Sequence, residues 1–176
     1  MATSKAPIAL AEQEGEALWF NHDLLVFKAT SAQTDGAFIL LEQTSQGGKT
    51  TPLHRHPNED ETFIVLEGQL IVHIDGTNHT GKPGSVIVVP RGAPHAFLVT
   101  SDLFRGLILF TPGNEACEAW FRAAGDPAPT HELPEPGPPD IPRLQAAAEK
   151  YGVEMLGPPP FPKDTMTEPQ PAASNA

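Results

Sequence analysis

The chain has 176 residues, 39% of them hydrophobic, which suits one domain with a core of its own and leaves no room for a second full domain. Eleven Lys and Arg against 22 Asp and Glu give a formal charge of −11, so phosphate backbones and anionic membranes are repelled and nucleic-acid binding is disfavoured. The single cysteine, Cys117, excludes an intrachain disulfide, no stretch approaches membrane-spanning length and no leader-like apolar segment opens the chain, so a cytoplasmic location is expected and the sequon at Asn78 carries no weight.

Residues 1–15 are polar and expected to fray. Short strands are predicted at 17–20 and 24–29 around a turn at Asn21, His22 and Asp23, followed by a polar loop at 31–36 and a strand at 37–44 that Gly47 and Gly48 end. His54 and His56 come next, two apart, so on a strand both imidazoles look the same way while Arg55 faces away. Glu61 opens a strand whose alternation places Glu61, Phe63 and Val65 on one face and Thr62, Ile64 and Leu66 on the other. Residues 69–74 and 77–80 form a hairpin about Asp75-Gly76, a pair suited to a type I′ turn. A turn at 81–84 leads into a strand at 85–89, which ends at Pro90, turns through Arg91 and Gly92, and returns through His95. Strands at 95–100 and 104–110 complete a regular series, the pattern of an antiparallel sandwich or barrel.

Beyond Thr111-Pro112-Gly113, Asn114 is a cap for a helix at 115–124 that carries Cys117, Trp120, Phe121 and Ala124 along one apolar stripe. Residues 126–140, rich in Pro and acid, read as an extended connector, and Asp140 caps a second helix with Pro142 in its first turn and Gly152 past its end. From Gly157 the composition is that of a Pro-rich, disordered tail. The chain thus divides into a flexible 1–15, an all-β body at 16–112, helices and connector at 113–156, and a tail at 157–176.

His54, His56 and Glu61 read as part of a metal site, and His95 in the second stretch supplies a fourth donor. Gly48, His54, His56, Glu61 and Gly68, followed by Gly84, Pro90, Gly92 and His95, resemble the two motifs of the cupin superfamily, except that Val99 stands where the second motif usually ends in Asn. The resemblance implies a small antiparallel β-barrel or jelly roll, and one divalent metal per chain held by His54, His56, Glu61 and His95. Within that superfamily the chain resembles single-domain bacterial proteins of the quercetin 2,3-dioxygenase type. The shared stretches are Glu16-Ala17-Leu18-Trp19-Phe20, Gly36-Ala37-Phe38, HRHPNEDETFIVLEG, VPRGAPHAF, Tyr151-Gly152-Val153-Glu154 and Leu156-Gly157-Pro158-Pro159. Such enzymes cleave the flavonol ring with O2 and release carbon monoxide.

Three neutral imidazoles and one carboxylate suit nickel, iron, manganese, cobalt, copper or zinc, and the lack of further cysteines excludes a closed thiolate zinc site. The net positive charge of such a centre would welcome an anionic oxygen, and inward Phe63 and Phe97 would add an aromatic wall. The expected ligand is a flat, enolisable aromatic molecule with a chelating oxygen, with O2 beside it and Glu61 as general base. The bland alternatives are that Phe63 and Phe97 are ordinary core, that Trp120 and Phe121 are helix packing, and that Cys117 is an inert buried thiol. Glu59 and Asp60 read as solvated loop acids, and His22, His73, His79 and His131 as structural or exposed. Thr62, Ile64, Leu66, Leu70, Val72 and Ile74 are too aliphatic for a solvent face, so the N-terminal strands, a second subunit or both should cover them, and a homodimer is expected. The functional expectation is a metal-dependent dioxygenase; the alternative is a non-oxidative isomerase or lyase, or a small-molecule binder without turnover.

Overall fold

The computed structural model describes residues 6–162. Their order is β1 (Glu16–Phe20), β2 (Asp23–Ala29), α1 (Ser31–Thr34), β3 (Ile39–Gln46), β4 (Leu53–Arg55), β5 (Asp60–Glu67), β6 (Leu70–Ile74), β7 (Thr77–Gly81), β8 (Val86–Val89), β9 (His95–Val99), β10 (Leu103–Thr111), α2 (Glu115–Ala124), β11 (Gly125–Pro127), α3 (Ile141–Tyr151) and β12 (Glu154–Gly157). All strand pairs are antiparallel, in a seven-stranded sheet ordered β11-β1-β2-β3-β10-β5-β8 and a five-stranded sheet ordered β12-β4-β9-β6-β7. The result is a jelly-roll sandwich, the expected all-β class.

Period-two patterning builds the core: Ile39 and Leu41 on β3, Phe63 and Val65 on β5, Phe97 and Val99 on β9, and Phe104, Ile108 and Phe110 on β10 are all buried together. Helix α2 adds Cys117, Trp120, Phe121 and Ala124 to the same core, as the stripe predicts. Its cap is Asn114, whose Oδ1 accepts the Cys117 N–H at 2.8 Å, and Asp140 caps α3 by accepting from Arg143 N at 3.1 Å. At the hairpin tip Asp75 and Gly76 have φ of 46° and 82°, the paired left-handed conformations that a type I′ turn requires.

Several expectations change. Residues 31–34 are one helical turn, because Thr30 and Gln33 form a reciprocal capping box. Leu70 and Val72 point into the core and are fully buried, so the covering layer predicted for them is the opposite sheet. The outer side of β9 does need a cover: Ala96 and Leu98 are buried against Phe161, with Leu53 and Ile71 beside them. Phe161 is only 7% exposed, so residues 157–162 pack on the five-stranded sheet; the rest of the predicted tail lies outside the described residues. The connector is also held down, with Trp19 Nε1 donating to Glu132 O at 2.8 Å and both ring nitrogens of His22 on the carbonyls of Glu135 and Pro138 at 3.0 Å. Near the N-terminus, Lys28 Nζ donates to the carbonyls of Ala11, Glu12 and Glu14, so residues 11–14 are tied to β2. No helix among the described residues is long and apolar enough to cross a membrane.

Candidate metal centre

Strands β4 and β9 set His54 and His95 directly opposite each other as backbone partners, with ring centroids 4.3 Å apart. His56 follows β4, and its carbonyl accepts the Gly92 N–H at 2.8 Å, which ties the turn before β9 to the paired histidines. Glu61 comes from β5, in the other sheet, and its Oε2 lies 2.8 Å from His95 Nε2 and 3.7 Å from His56 Nε2. One donor atom from each of His54, His56, Glu61 and His95 lies within 4.8 Å of every other, and all four residues are buried. Gly68 closes the Glu61 strand at φ 75°, where an added Cβ would stand 2.0 Å from Leu103 O. Only glycine tolerates both the angle and the approach.

The donor set fits a first-row divalent ion. Such ions hold nitrogen and oxygen at about 2.0–2.2 Å, and the four donor atoms already cluster within reach of one such centre. The Nδ1–H groups of His54 and His95 donate to the carbonyls of Pro52 and Ala93, each at 2.9 Å, which turns Nε2 toward the cluster. Burial, with the neighbouring His95 charge second, pushes His54 down to about 3, and burial with the charges of His54 and His95 holds His56 well below the usual histidine value. Both are therefore neutral, as metal ligands must be. Burial also works against charge on His95, but the hydrogen bond and charge of Glu61 outweigh it and leave its pKa above the ordinary value.

Glu59 is a correction. It is 5% exposed rather than solvated; its Oε2 faces His56 Nδ1 at 3.9 Å, and the Asn114 amide donates to its Oε1. His56 Nδ1 has no closer partner. Glu59 thus puts a carboxylate opposite the ring nitrogen that His56 turns away from Glu61, beyond hydrogen-bond distance. Asp60 is not a loop acid either: it opens β5, is half-buried and pairs with Arg91 at 3.0 Å. His73 bonds Asn78 Oδ1 at 2.7 Å and His131 reaches Gly15 O at 3.3 Å, so both are structural.

A cavity of about 40 Å³ opens beside His54, His56 and Glu61, walled by Phe97, Trp120 and Phe121. That is room for about three waters. Phe97 is thus on the wall, whereas Phe63 stands edge-on to it at 6.1 Å within the core. Trp120 and Phe121, read as helix packing, also face the cavity, so α2 covers the centre as well as packing on the barrel. Asp23, Gln43 and Thr51 line it too and were missed. A signal was present for Gln43, a polar residue at a core-facing position one alternation beyond Leu41. Cys117 is buried, and burial, with the charges of Glu59, Glu61 and Glu118 behind it, pushes its thiol well above the usual range, as expected of an inert thiol.

A cupin domain family matches residues 41–111, which span β3 to β10 and include all four donors. An uncharacterised protein of Aquifex aeolicus is 30% identical over 104 residues, which is 59% of this chain and 78% of that one. The chain belongs to the cupin superfamily. Quercetin 2,3-dioxygenase of Bacillus subtilis is 29% identical over 153 residues, 86% of this cupin and 45% of the relative, so the chain spans less than half of that protein's length. Among solved structures, a predicted oxalate decarboxylase of Thermotoga maritima superimposes with a TM-score of 0.52 at 18% identity, covering 61% of this cupin and 99% of that chain. That likeness speaks to the fold alone.

Proposed function

We propose that this cupin is a metal-dependent dioxygenase of the quercetinase-like kind, acting with O2 on a flavonol-like or other enolisable aromatic substrate. The observation that carries it is the buried set of three imidazoles and one carboxylate opening onto an aromatic-walled cavity. The Bacillus relative, named for quercetin 2,3-dioxygenase activity, supports the choice of chemistry. His54, His56, Glu61 and His95 would hold one divalent ion per chain, which would supply Lewis acidity to an oxygen ligand. Glu61 would take the substrate hydroxyl proton at Oε2, where it now meets His95. Phe97 and Trp120 would hold the ring, and α2 would exclude bulk water. The exposed Leu66, Val86 and Val88 on β5 and the edge strand β8 suit a homodimer contact, and the chain would work in the cytoplasm.

The cavity size favours a second reading of the substrate. Drug-sized ligands occupy roughly 300–1,000 Å³, so a flavonol requires the wall to open widely, whereas a single-ring enolisable hydroxyketone requires a smaller opening. Such a substrate would also serve a non-oxidative isomerase or lyase. The deciding measurement is oxygen uptake by protein loaded separately with nickel, cobalt, manganese and iron, with quercetin as substrate. Uptake that vanishes in His95→Ala is expected; no uptake with any metal rejects the quercetinase reading and leaves anaerobic turnover of smaller hydroxyketones to be assayed.

A further inference from the structure

The interior wall of the sandwich turns polar on one side of the cavity. Along β3, Ile39 and Leu41 are followed at the same parity by Gln43 and Ser45, both buried, with the Gln43 amide donating to Ser45 Oγ at 2.8 Å. Asp23, at the start of the adjacent β2, is 3% exposed. Its Oδ2 faces Lys49 Nζ at 3.8 Å, while Oδ1 is buried without a hydrogen-bond partner. Burial pushes the carboxyl up to about 6 against the Lys49 charge and the nearby Ser45 hydroxyl, so its placement is costly. Trp120, on the same cavity, has a buried Nε1–H with no acceptor.

Asp23 and Trp120 both line the cavity, and an acceptor of the one and a donor of the other are buried without a partner, which is a recognition pattern. Lys49 faces Oδ2 and the Ser45 hydroxyl also bears on the carboxyl, yet Oδ1 stays buried with acceptor capacity unused, since a carboxylate offers about four acceptor positions. Packing explains the Trp120 ring but not its N–H, which Phe would omit.

We propose that Asp23 and Trp120 form a hydroxyl-recognising patch, selecting a single-ring hydroxyketone that carries a further hydroxyl away from its chelating oxygen. Asp23 Oδ1 accepts from that hydroxyl, and Trp120 Nε1 donates to an oxygen of the same molecule. The chelating oxygen lies at His54, His56, Glu61 and His95, so the inference rests on the metal-centre reading above. A ligand lacking the second hydroxyl leaves the buried carboxylate oxygen unpaired and is rejected for that reason.

The test uses two hydroxypyrones with one chelating unit: kojic acid, which has an extra hydroxymethyl oxygen, and allomaltol, where that hydroxyl is hydrogen. Both are titrated into the full-length, cobalt-loaded protein, with the cobalt absorption spectrum reporting binding. Kojic acid is expected to bind at least tenfold tighter, and Asp23→Asn to cut the preference below about threefold, because a charge-assisted bond to kojic acid is replaced by a neutral one while the penalty that the unpaired carboxylate lays on allomaltol is relieved. Trp120→Phe, which keeps an aromatic ring but no N–H, is expected to weaken kojic acid several-fold more than allomaltol. Equal affinity of the two pyrones for the wild type overturns the patch while leaving the centre standing, and does so even if Asp23→Asn fails to fold. A cobalt spectrum that neither pyrone perturbs overturns the chelating centre and the patch together.

Discussion

Glu61 and His95 meet across the space between the two sheets, Oε2 to Nε2 at 2.8 Å, one from β5 and the other from β9. Neither strand alone holds a metal site. The centre exists only when the sandwich closes, and the contact that closes it joins the two motif stretches.

Replacing His95 or Glu61 with Ala should therefore strip or strongly weaken metal binding while the sandwich stays folded, because the core lies on other side chains. Metal content by elemental analysis, beside the far-ultraviolet circular dichroism spectrum, checks both halves. Unchanged stoichiometry in both variants would sink the ligand assignment.

Glu59 should matter to the metal without touching it. Glu59→Gln keeps the shape but removes the charge facing His56 Nδ1, and an outer carboxylate of this kind contributes about 10–100-fold in affinity. Competition with a metal chelator measures it; an unchanged dissociation constant would return Glu59 to a purely structural role with Asn114.

Gly68→Ala should destabilise the protein by at least about 2 kcal/mol, since a side chain at positive φ is strained and the new Cβ meets a backbone oxygen that cannot rotate away. The thermal midpoint should fall by roughly 4–8 °C in a chain of this size. A shift below about 1 °C would mean that the β5–β6 turn relaxes freely.

Asp23 leaves a signature in the pH dependence of stability. Its carboxyl sits at about 6 in the folded protein against the ordinary 3.8, so between those values the folded state binds the proton and the unfolded state does not. Stability from this group falls as pH rises through that window, by up to about 3 kcal/mol, and stays at the lower level above it. His54, whose pKa is depressed to about 3 from 6.5, contributes in the opposite sense, gaining stability as pH rises. The difference between wild type and Asp23→Asn in urea midpoint from pH 4 to 7 isolates the Asp23 part. It should tilt toward the variant as pH rises, and a flat difference would contradict the burial cost.

Much of the architecture was legible because it rests on local chemistry. Alternation on β3, β5, β9 and β10, the Asp75-Gly76 turn, the Asn114 and Asp140 caps and the spacing around His54, His56, Glu61 and His95 each act within a few residues. The short β11 and β12 were not legible, because three or four residues carry too little period and pair only where a distant strand offers an edge.

What the sequence by itself determined is the jelly roll and the identity of the four clustered donors, since motif spacing and side-chain parity survive any detail of packing. What only the tertiary structure decided is everything set by contact between remote segments. It buried Glu59 beside His56, brought Trp120 and Phe121 onto the cavity, turned Leu70 and Val72 inward, and seated Phe161 on Ala96 and Leu98. It also left Asp23 Oδ1 and Trp120 Nε1 without partners on one small cavity. Composition reads such residues as loop acid, packing or tail, because burial belongs to the neighbours that folding supplies.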